Sequence, residues 1–404
     1  MLLDDQNDLF ESICLLVEDY IHLNINQYIQ PNFHGNVVKA ISTLLNHTIA
    51  EADQDISHWI ESEVERALVI FYKHIAPPRS NGPSFVRLRL QSNSAKMREK
   101  IAYLQSVPQP EQRTHAWYEF RYNHLTASNI WKAFISESTR NQLIFEKCQP
   151  LTGEKFGGVS LDSPMHWGQK YEPVSVALYE EMYGTNVSDF GCIPHKTIEF
   201  LAASPDGIVT DATSARYGRM LEVKNIVNRE ITGIPKMEYW VQMQLQMEVC
   251  ELNECDFLET RFTEYADKAA FEADTLVKYK GMLMLFMTSA GKPVYEYAPL
   301  FSDTDAWQEA MMEQKQSLNW VKNIYWKLDQ VSCVLVLRNK LWFTAVIPEL
   351  KAIWATIEKE KQEGYSHRGP KKGTIKVKKL TQPESDAINL SVEHPQCFIN
   401  TTNL

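Results

Sequence analysis

The sequence predicts an α/β protein of the α+β kind, in which a mixed central β-sheet is flanked by helices and preceded by a helical N-terminal extension. Three observations carry this. Apolar residues recur at three- and four-residue steps from Asp8 to about His74; strand-like segments flank Asp206 and Glu222 around a polar loop with Gly218; and a breaker-poor stretch, Tyr239 to Val249, leads into the alternating segment Asp256 to Phe262. Steps of three and four mark one face of a helix, and a step of two marks one face of a strand. Helix, strand, strand, helix and strand in that order suit a mixed sheet covered by helices.

In chain order, residues 1–107 read as the helical region, with Phe10, Ile13, Leu16 and Val17 on one face and Ile60, Val64, Ala67 and Leu68 on another. The run Ala76-Pro-Pro-Arg-Ser-Asn-Gly-Pro83 ends the helical periodicity, because proline and glycine punctuate regular structure. A short helix is expected near Met97 to Leu104, and residues 108–115, Pro-Gln-Pro-Glu-Gln-Arg-Thr-His, form a connector. The main domain is placed at 116–363, with its motifs within 116–265. There Met165 to Tyr183 has helical spacing, and Cys333 to Phe343 reads as a late hairpin. Residues 364–404 lose periodicity and carry Lys371, Lys372, Lys376, Lys378 and Lys379, the pattern of a flexible basic tail.

Composition excludes several classes. A chain of 404 residues, 44% hydrophobic and 23% charged, can bury one large core or two smaller ones. Apolar runs such as Met282 to Met287 fall well short of the roughly 20 residues that span a bilayer, and the start, Met-Leu-Leu-Asp-Asp, has no basic segment of a secretion signal. An intracellular setting without membrane contact is expected. The seven cysteines are scattered with no CxxC pair, which fits neither a disulfide framework nor a zinc site. A net charge of −10 argues against a protein that coats nucleic acid by charge alone. Local binding through a few cations, helix N-termini and a divalent metal stays open.

The chemistry concentrates in Ser204-Pro205-Asp206-Gly207 and Leu221-Glu222-Val223-Lys224. Residues two apart in a strand share a face, so Glu222 and Lys224 point together while Val223 points to the other side. If the Asp206 strand pairs with this one, two carboxylates and an ammonium converge, and a Mg²⁺ ion with oxygen ligands relieves their repulsion. Such an ion, held by Asp206 and Glu222 with the Val223 carbonyl, suits phosphodiester hydrolysis, with Lys224 orienting the attacking water. Taken singly, Pro-Asp-Gly is more often a turn and Glu-Val-Lys a solvated strand face. His166 and His195 lack metal-ligand spacing and read as structural.

Three further segments stand in register with these two: Trp117-Tyr-Glu-Phe-Arg121-Tyr-Asn-His-Leu-Thr126-Ala-Ser128, Gly168-Gln-Lys-Tyr-Glu172-Pro and Tyr239-Trp-Val-Gln242-Met-Gln244. The five, in this order over about Ala116 to Tyr265, resemble the lambda exonuclease and YqaJ-type viral recombinase family. That family is a branch of the PD-(D/E)XK nucleases, and the build with long flanking segments resembles members from large DNA viruses. The resemblance implies a restriction-endonuclease-like core with Glu172, Asp206, Glu222 and Lys224 as the metal and catalytic centre and Gln242 assisting. It further implies Mg²⁺, in two ions and replaceable by Mn²⁺, and a DNA phosphate held by Arg121 and Ser128. Independently, Thr126 or Ser128 at a helix start exposes free N–H groups beside that arginine. Tyr239, Gln244 and Arg140 are candidate DNA contacts.

The leading expectation is an exonuclease that degrades one strand of duplex DNA from a 5′ end, its polarity implied by the resemblance. A single-strand annealing protein is the candidate partner, and the oligomeric state stays open. The alternatives are an endonuclease with the same centre and, from another class, an inactive DNA-binding scaffold. Against the scaffold, an inactive site has no reason to hold carboxylates together.

Overall fold

The computed structural model describes residues 3–49, 54–87, 91–110, 112, 114–151, 161 and 163–369. The expected basic tail lies outside the described residues from residue 370 onward. Its first residues belong to the fold: Arg368 pairs with Glu360 and donates to Asn141 Oδ1 at 2.7 Å.

Four helices open the chain: α1 (Leu3–Leu23), α2 (Phe33–Thr48), α3 (Gln54–His74) and α4 (Gln91–Ser106), with a 3₁₀ turn at Ile25–Ile29 between the first two. Their apolar spacing is realised as a buried face, with Ile13, Val17, Ile21, Ile60, Val64 and Leu68 all at 0% exposure. This region shares one core with later helices and does not form a module of its own. Tyr28 stacks near Trp240, and the proline-rich run after α3 is wired inward: Arg79 donates to Ile29 O and Pro235 O, and Trp240 Nε1 donates to Arg79 O.

Then follow α5 (His115–Tyr122), β1 (Leu125–Thr126), α6 (Ala127–Ile130), α7 (Glu137–Cys148) and α8 (Pro164–Tyr183). Ser163 caps α8 with Pro164 in its first turn, and Gly184, at φ +56°, closes it in the left-handed region that glycine favours. Next come β2 (Val187–Ser188), β3 (Ile193–Pro194), β4 (Leu201–Ala203), β5 (Gly207–Val209), β6 (Met220–Asn225), α9 (Met237–Val249) and β7 (Glu254–Glu264). The remainder is α10 (Lys268–Ala273), β8 (Lys280–Met287), β9 (Pro293–Tyr297), α11 (Thr304–Gln314), β10 (Asn319–Leu337) and α12 (Lys340–Glu363).

Among the described residues, seven strands form a sheet in the order β2-β5-β6-β7-β10-β8-β9, and β1-β4-β3 form a second. In the large sheet β6 and β7 run parallel with α9 as the crossover, and the other neighbours are antiparallel. The mixed sheet with flanking helices is the fold class the sequence predicts. One expected element is different. Cys333 to Phe343 is no hairpin: β10 runs on to Leu337, and Asn339 accepts from Trp342 N at 2.9 Å to cap α12. No helix among the described residues is long and apolar enough to cross a membrane.

Candidate active site

The chain changes sheets at Ser204-Pro205-Asp206, between β4 of the small sheet and β5 of the large one. Gly207 pairs with Leu221 inside the ladder, and a Cβ on it would stand 2.2 Å from Val187 Cγ1 on the neighbouring β2. The glycine is there for close strand approach and not for a turn, so Pro-Asp-Gly is a strand entry. The β5–β6 ladder pairs Gly207 with Leu221 and Ile208 with Met220. Beyond it, Val223 N donates to Asp206 Oδ2 at 2.8 Å, so the carboxylate takes the place of a ladder partner.

Glu222 and Lys224 lie on one face of β6 as the step of two requires. Glu222 is fully buried, and its Oε1 accepts from the Lys224 ammonium. Its Oε2 accepts from Gln246 Nε2 at 2.7 Å. Lys224 Nζ sits 5.1 Å from the centre of the Tyr239 ring. Loss of solvent around Asp206, then the Glu222 charge, pushes the Asp206 carboxyl well above its usual range, with Glu172 adding to the rise and Lys224 opposing it. For Lys224, burial lowers the ammonium pKa, but Glu222 and Asp206 outweigh it and the net shift is upward.

Glu172 comes from α8 immediately before Pro173, whose missing N–H interrupts the helix ladder. Asn225 Nδ2 donates to Gly168 O at 2.8 Å in the same stretch, and Ser175 and Thr260 hydroxyls both reach Asn225 Oδ1 at 2.7 Å. The residue after the Glu-Val-Lys step thereby fixes α8 against β6 and β7.

The first motif lies one strand from Asp206, because β1 pairs in parallel with β4. Arg121 Nη2 donates to Ser128 Oγ at 2.7 Å, and the guanidinium stacks 4.2 Å from the Trp117 ring. Burial lowers the pKa of Arg121. Lys147 donates to the carbonyls of Arg121 and His124 and is itself pushed down to about 7, chiefly by burial and then by Arg121. Ser128 is exposed, whereas Thr126 is buried and its hydroxyl turns to Asn129.

Other candidates are placed differently. Gln244 is buried, donating to Leu337 O at 2.9 Å and accepting from Asn339 N at 2.7 Å, so it ties α9 to the start of α12 and is no surface contact. Arg140 spends its guanidinium on Ala133 O and Glu349, joining α7 to α12. Gln242 is half-buried on α9, three residues after Tyr239 and four before Gln246, so helical spacing sets the three on one face. His166 bonds Tyr295 at 2.6 Å, and His195 Nδ1 accepts from two backbone N–H groups, both fold-supporting roles.

Hard divalent cations take oxygen ligands, and the Asp206 and Glu222 carboxylates that meet beside Lys224 are donors of that kind. The Asp206 carboxyl is raised first by burial and then by the Glu222 charge, which Lys224 opposes. The residues fit a divalent cation in this chemical sense. Among the described residues no group of three or more His, Cys, Asp or Glu side chains is placed to hold a metal ion, and Lys224 is the cation against Glu222. Cavities of about 660 Å³ beside Ser84 and Cys333 and about 550 Å³ beside Arg140 and Glu349 contain none of these site residues.

Fold and site define a mixed α/β protein with an acid–lysine centre where two sheets meet. Residues 116–253, about a third of the chain, match the YqaJ-like viral recombinase domain. Uncharacterized protein R354 of Acanthamoeba polyphaga mimivirus is 26% identical over 340 residues, covering 72% of this chain and 60% of that relative. The chain thus spans about 60% of the length of this curated relative. The crystal structure of an alkaline exonuclease (LHK-Exo) from Laribacter hongkongensis aligns at 22% identity and a TM-score of 0.39, covering 62% of this chain and 95% of that one. LHK-Exo in complex with dAMP aligns at 23% identity with the same TM-score and coverage.

Proposed function

We propose that this chain is a metal-dependent exonuclease that hydrolyses phosphodiester bonds of duplex DNA from a 5′ end, leaving a 3′ single strand. The observation that supports it most is the meeting of Asp206, Glu222 and Lys224 at the sheet junction, with Arg121 and Ser128 one strand away. The YqaJ-like match over the same residues agrees with it.

In this reading Asp206, Glu222, Glu172 and the Val223 carbonyl would hold Mg²⁺, with two ions the expected complement and Mn²⁺ a substitute. Bound there, the ions supply Lewis acidity to the scissile phosphate. Lys224, held by Glu222 and Tyr239, orients the attacking water and offsets charge that gathers on the phosphate. Arg121 and Ser128 grip a neighbouring phosphate, and the backbone N–H groups after Thr126 add to that grip. Gln242 shares the face of Tyr239 and assists at the centre. The setting is intracellular, wherever DNA is processed, and a single-strand annealing protein is the natural receiver of the 3′ strand.

The test offers purified protein with Mg²⁺ a linear duplex and a covalently closed circle. Nucleotides released from the linear DNA alone are expected. Cutting of the circle supports the endonuclease alternative, and binding without release from either supports the inactive scaffold.

A further inference from the structure

Gln246 has no place in the motifs, yet it touches the centre of the proposed site. Its amide is fully buried: Nε2 donates to Glu222 Oε2 at 2.7 Å and to Ser204 O at 3.2 Å. Both neighbours are pure acceptors, so the amide orientation is fixed by its surroundings. One side chain on α9 therefore ties together the strand that carries Glu222 and the sheet-changing segment that delivers Asp206. Its Oε1 has no hydrogen-bond partner among the described residues. A buried amide held with half its capacity unmet costs stability, which argues that the position is kept for something besides packing.

The two oxygens of Glu222 are divided. Oε1 faces Lys224, and Oε2 is engaged by Gln246. We propose that Gln246 is a positioning residue that commits Glu222 to a cation through one oxygen, by holding the other and fixing the carboxylate plane. The proposal rests on the metal-dependent reading above. Without the amide, Glu222 is free to turn about its last bond and to pair more fully with Lys224. The ammonium, which with the amide in place meets Oε1 alone, then competes with the cation for both oxygens. Partners that orient metal ligands in this way are typically worth about 10- to 100-fold in metal affinity or activity.

The test uses the full chain with Gln246→Met, which keeps the volume and removes the donor, and Gln246→Glu, which keeps the shape and replaces the donor by an acid. Two readouts are taken: calorimetric titration with Mn²⁺ in the absence of DNA, and the Mg²⁺ concentration that half-saturates cleavage. Gln246→Met is expected to weaken Mn²⁺ binding and raise the Mg²⁺ requirement together, each by about 10- to 100-fold, with cleavage recovering as Mg²⁺ is raised. In a Glu222→Gln background the same substitution should add little further loss of Mn²⁺ binding, because the ligand it positions is already gone. Unchanged Mn²⁺ affinity in a folded Gln246→Met or Gln246→Glu protein overturns the proposal. So does a loss of Mn²⁺ affinity that is undiminished in the Glu222→Gln background. If Gln246→Met does not fold, Gln246→Glu and its Glu222→Gln double variant decide by the same two readouts. A wild type that binds Mn²⁺ and cleaves while the variants match it defeats this inference alone, whereas a wild type without metal-dependent cleavage defeats the functional reading.

Discussion

Replacing Asp256 by leucine should destabilise the protein by about 3–5 kcal/mol, the usual cost of removing one partner from a buried ion pair. Asp256 is fully buried on β7 and accepts from Arg216, Arg219, the Tyr179 hydroxyl at 2.7 Å and Ser84 Oγ at 2.5 Å. Arg219, also fully buried, pairs in addition with Glu254 at 2.9 Å. The four charged groups cancel, two against two. Asp256→Leu leaves two buried guanidinium groups facing Glu254 alone. The double variant Arg216→Met/Asp256→Leu removes one charge of each sign and keeps the Arg219–Glu254 pair, so it should recover about 1–3 kcal/mol relative to the sum of the single losses. Urea unfolding followed by tryptophan fluorescence and far-UV circular dichroism reads both values. The reasoning fails if Asp256→Leu lies within about 1 kcal/mol of wild type, or if the double loss equals the sum of the singles. The result matters for the site because Arg216 and Arg219 lie between β5 and β6, the hairpin that holds Asp206 and Glu222 in register.

Two other outcomes follow from named contacts. Arg121→Ala should slow use of a 5′-phosphorylated end by about ten- to a hundred-fold while sparing a 5′-hydroxyl end, since a charge-assisted contact is worth about 1.5–3 kcal/mol; initial rates on the two ends check it, and equal slowing on both contradicts the end-reading role. For Lys147, the folded pKa of about 7 lies below its ordinary value, so above pH 7 the unfolded chain binds the extra proton and wild-type stability should rise relative to Lys147→Met up to about pH 10. Unfolding midpoints of the two proteins across that range test the sign, and a difference that stays flat or falls with pH refutes the depressed value.

Much of the centre was legible because it lies on period-two strands. Glu222 and Lys224 share a face for the reason the spacing states, and the register of β5 with β6 brings Asp206 to the same place. The sequence was ambiguous where the same letters serve two geometries. Gly207 could open a turn or admit a close strand, and only Val187 against it decides. Gln244 reads as a polar helix residue, but its partners, Leu337 and Asn339, are over 90 residues away. Gln246 was missed although it stands one helical turn beyond Gln242, since no motif pointed to it. The expected hairpin at Cys333 to Phe343 is instead the end of one strand and the start of a helix, because the Asn339 side chain caps α12. In the N-terminal region the helices were clear from spacing. Their merger with α9 and α12 into one core depends on pairs such as Tyr28 with Trp240, which no local pattern encodes.

The central claim is that Asp206 and Glu222 hold the ion that makes this chain a nuclease. Its most direct test is cleavage of linear duplex DNA by wild type, Asp206→Asn and Glu222→Gln, each verified as folded, in Mg²⁺ and in Ca²⁺. The wild type should degrade the DNA in Mg²⁺ and bind it with little turnover in Ca²⁺, whose looser coordination suits binding better than reaction. Both variants should lose about a hundred-fold or more of the Mg²⁺-dependent rate while still binding DNA. Cleavage near the wild-type rate by either folded variant, or equal turnover in the two ions, contradicts the account.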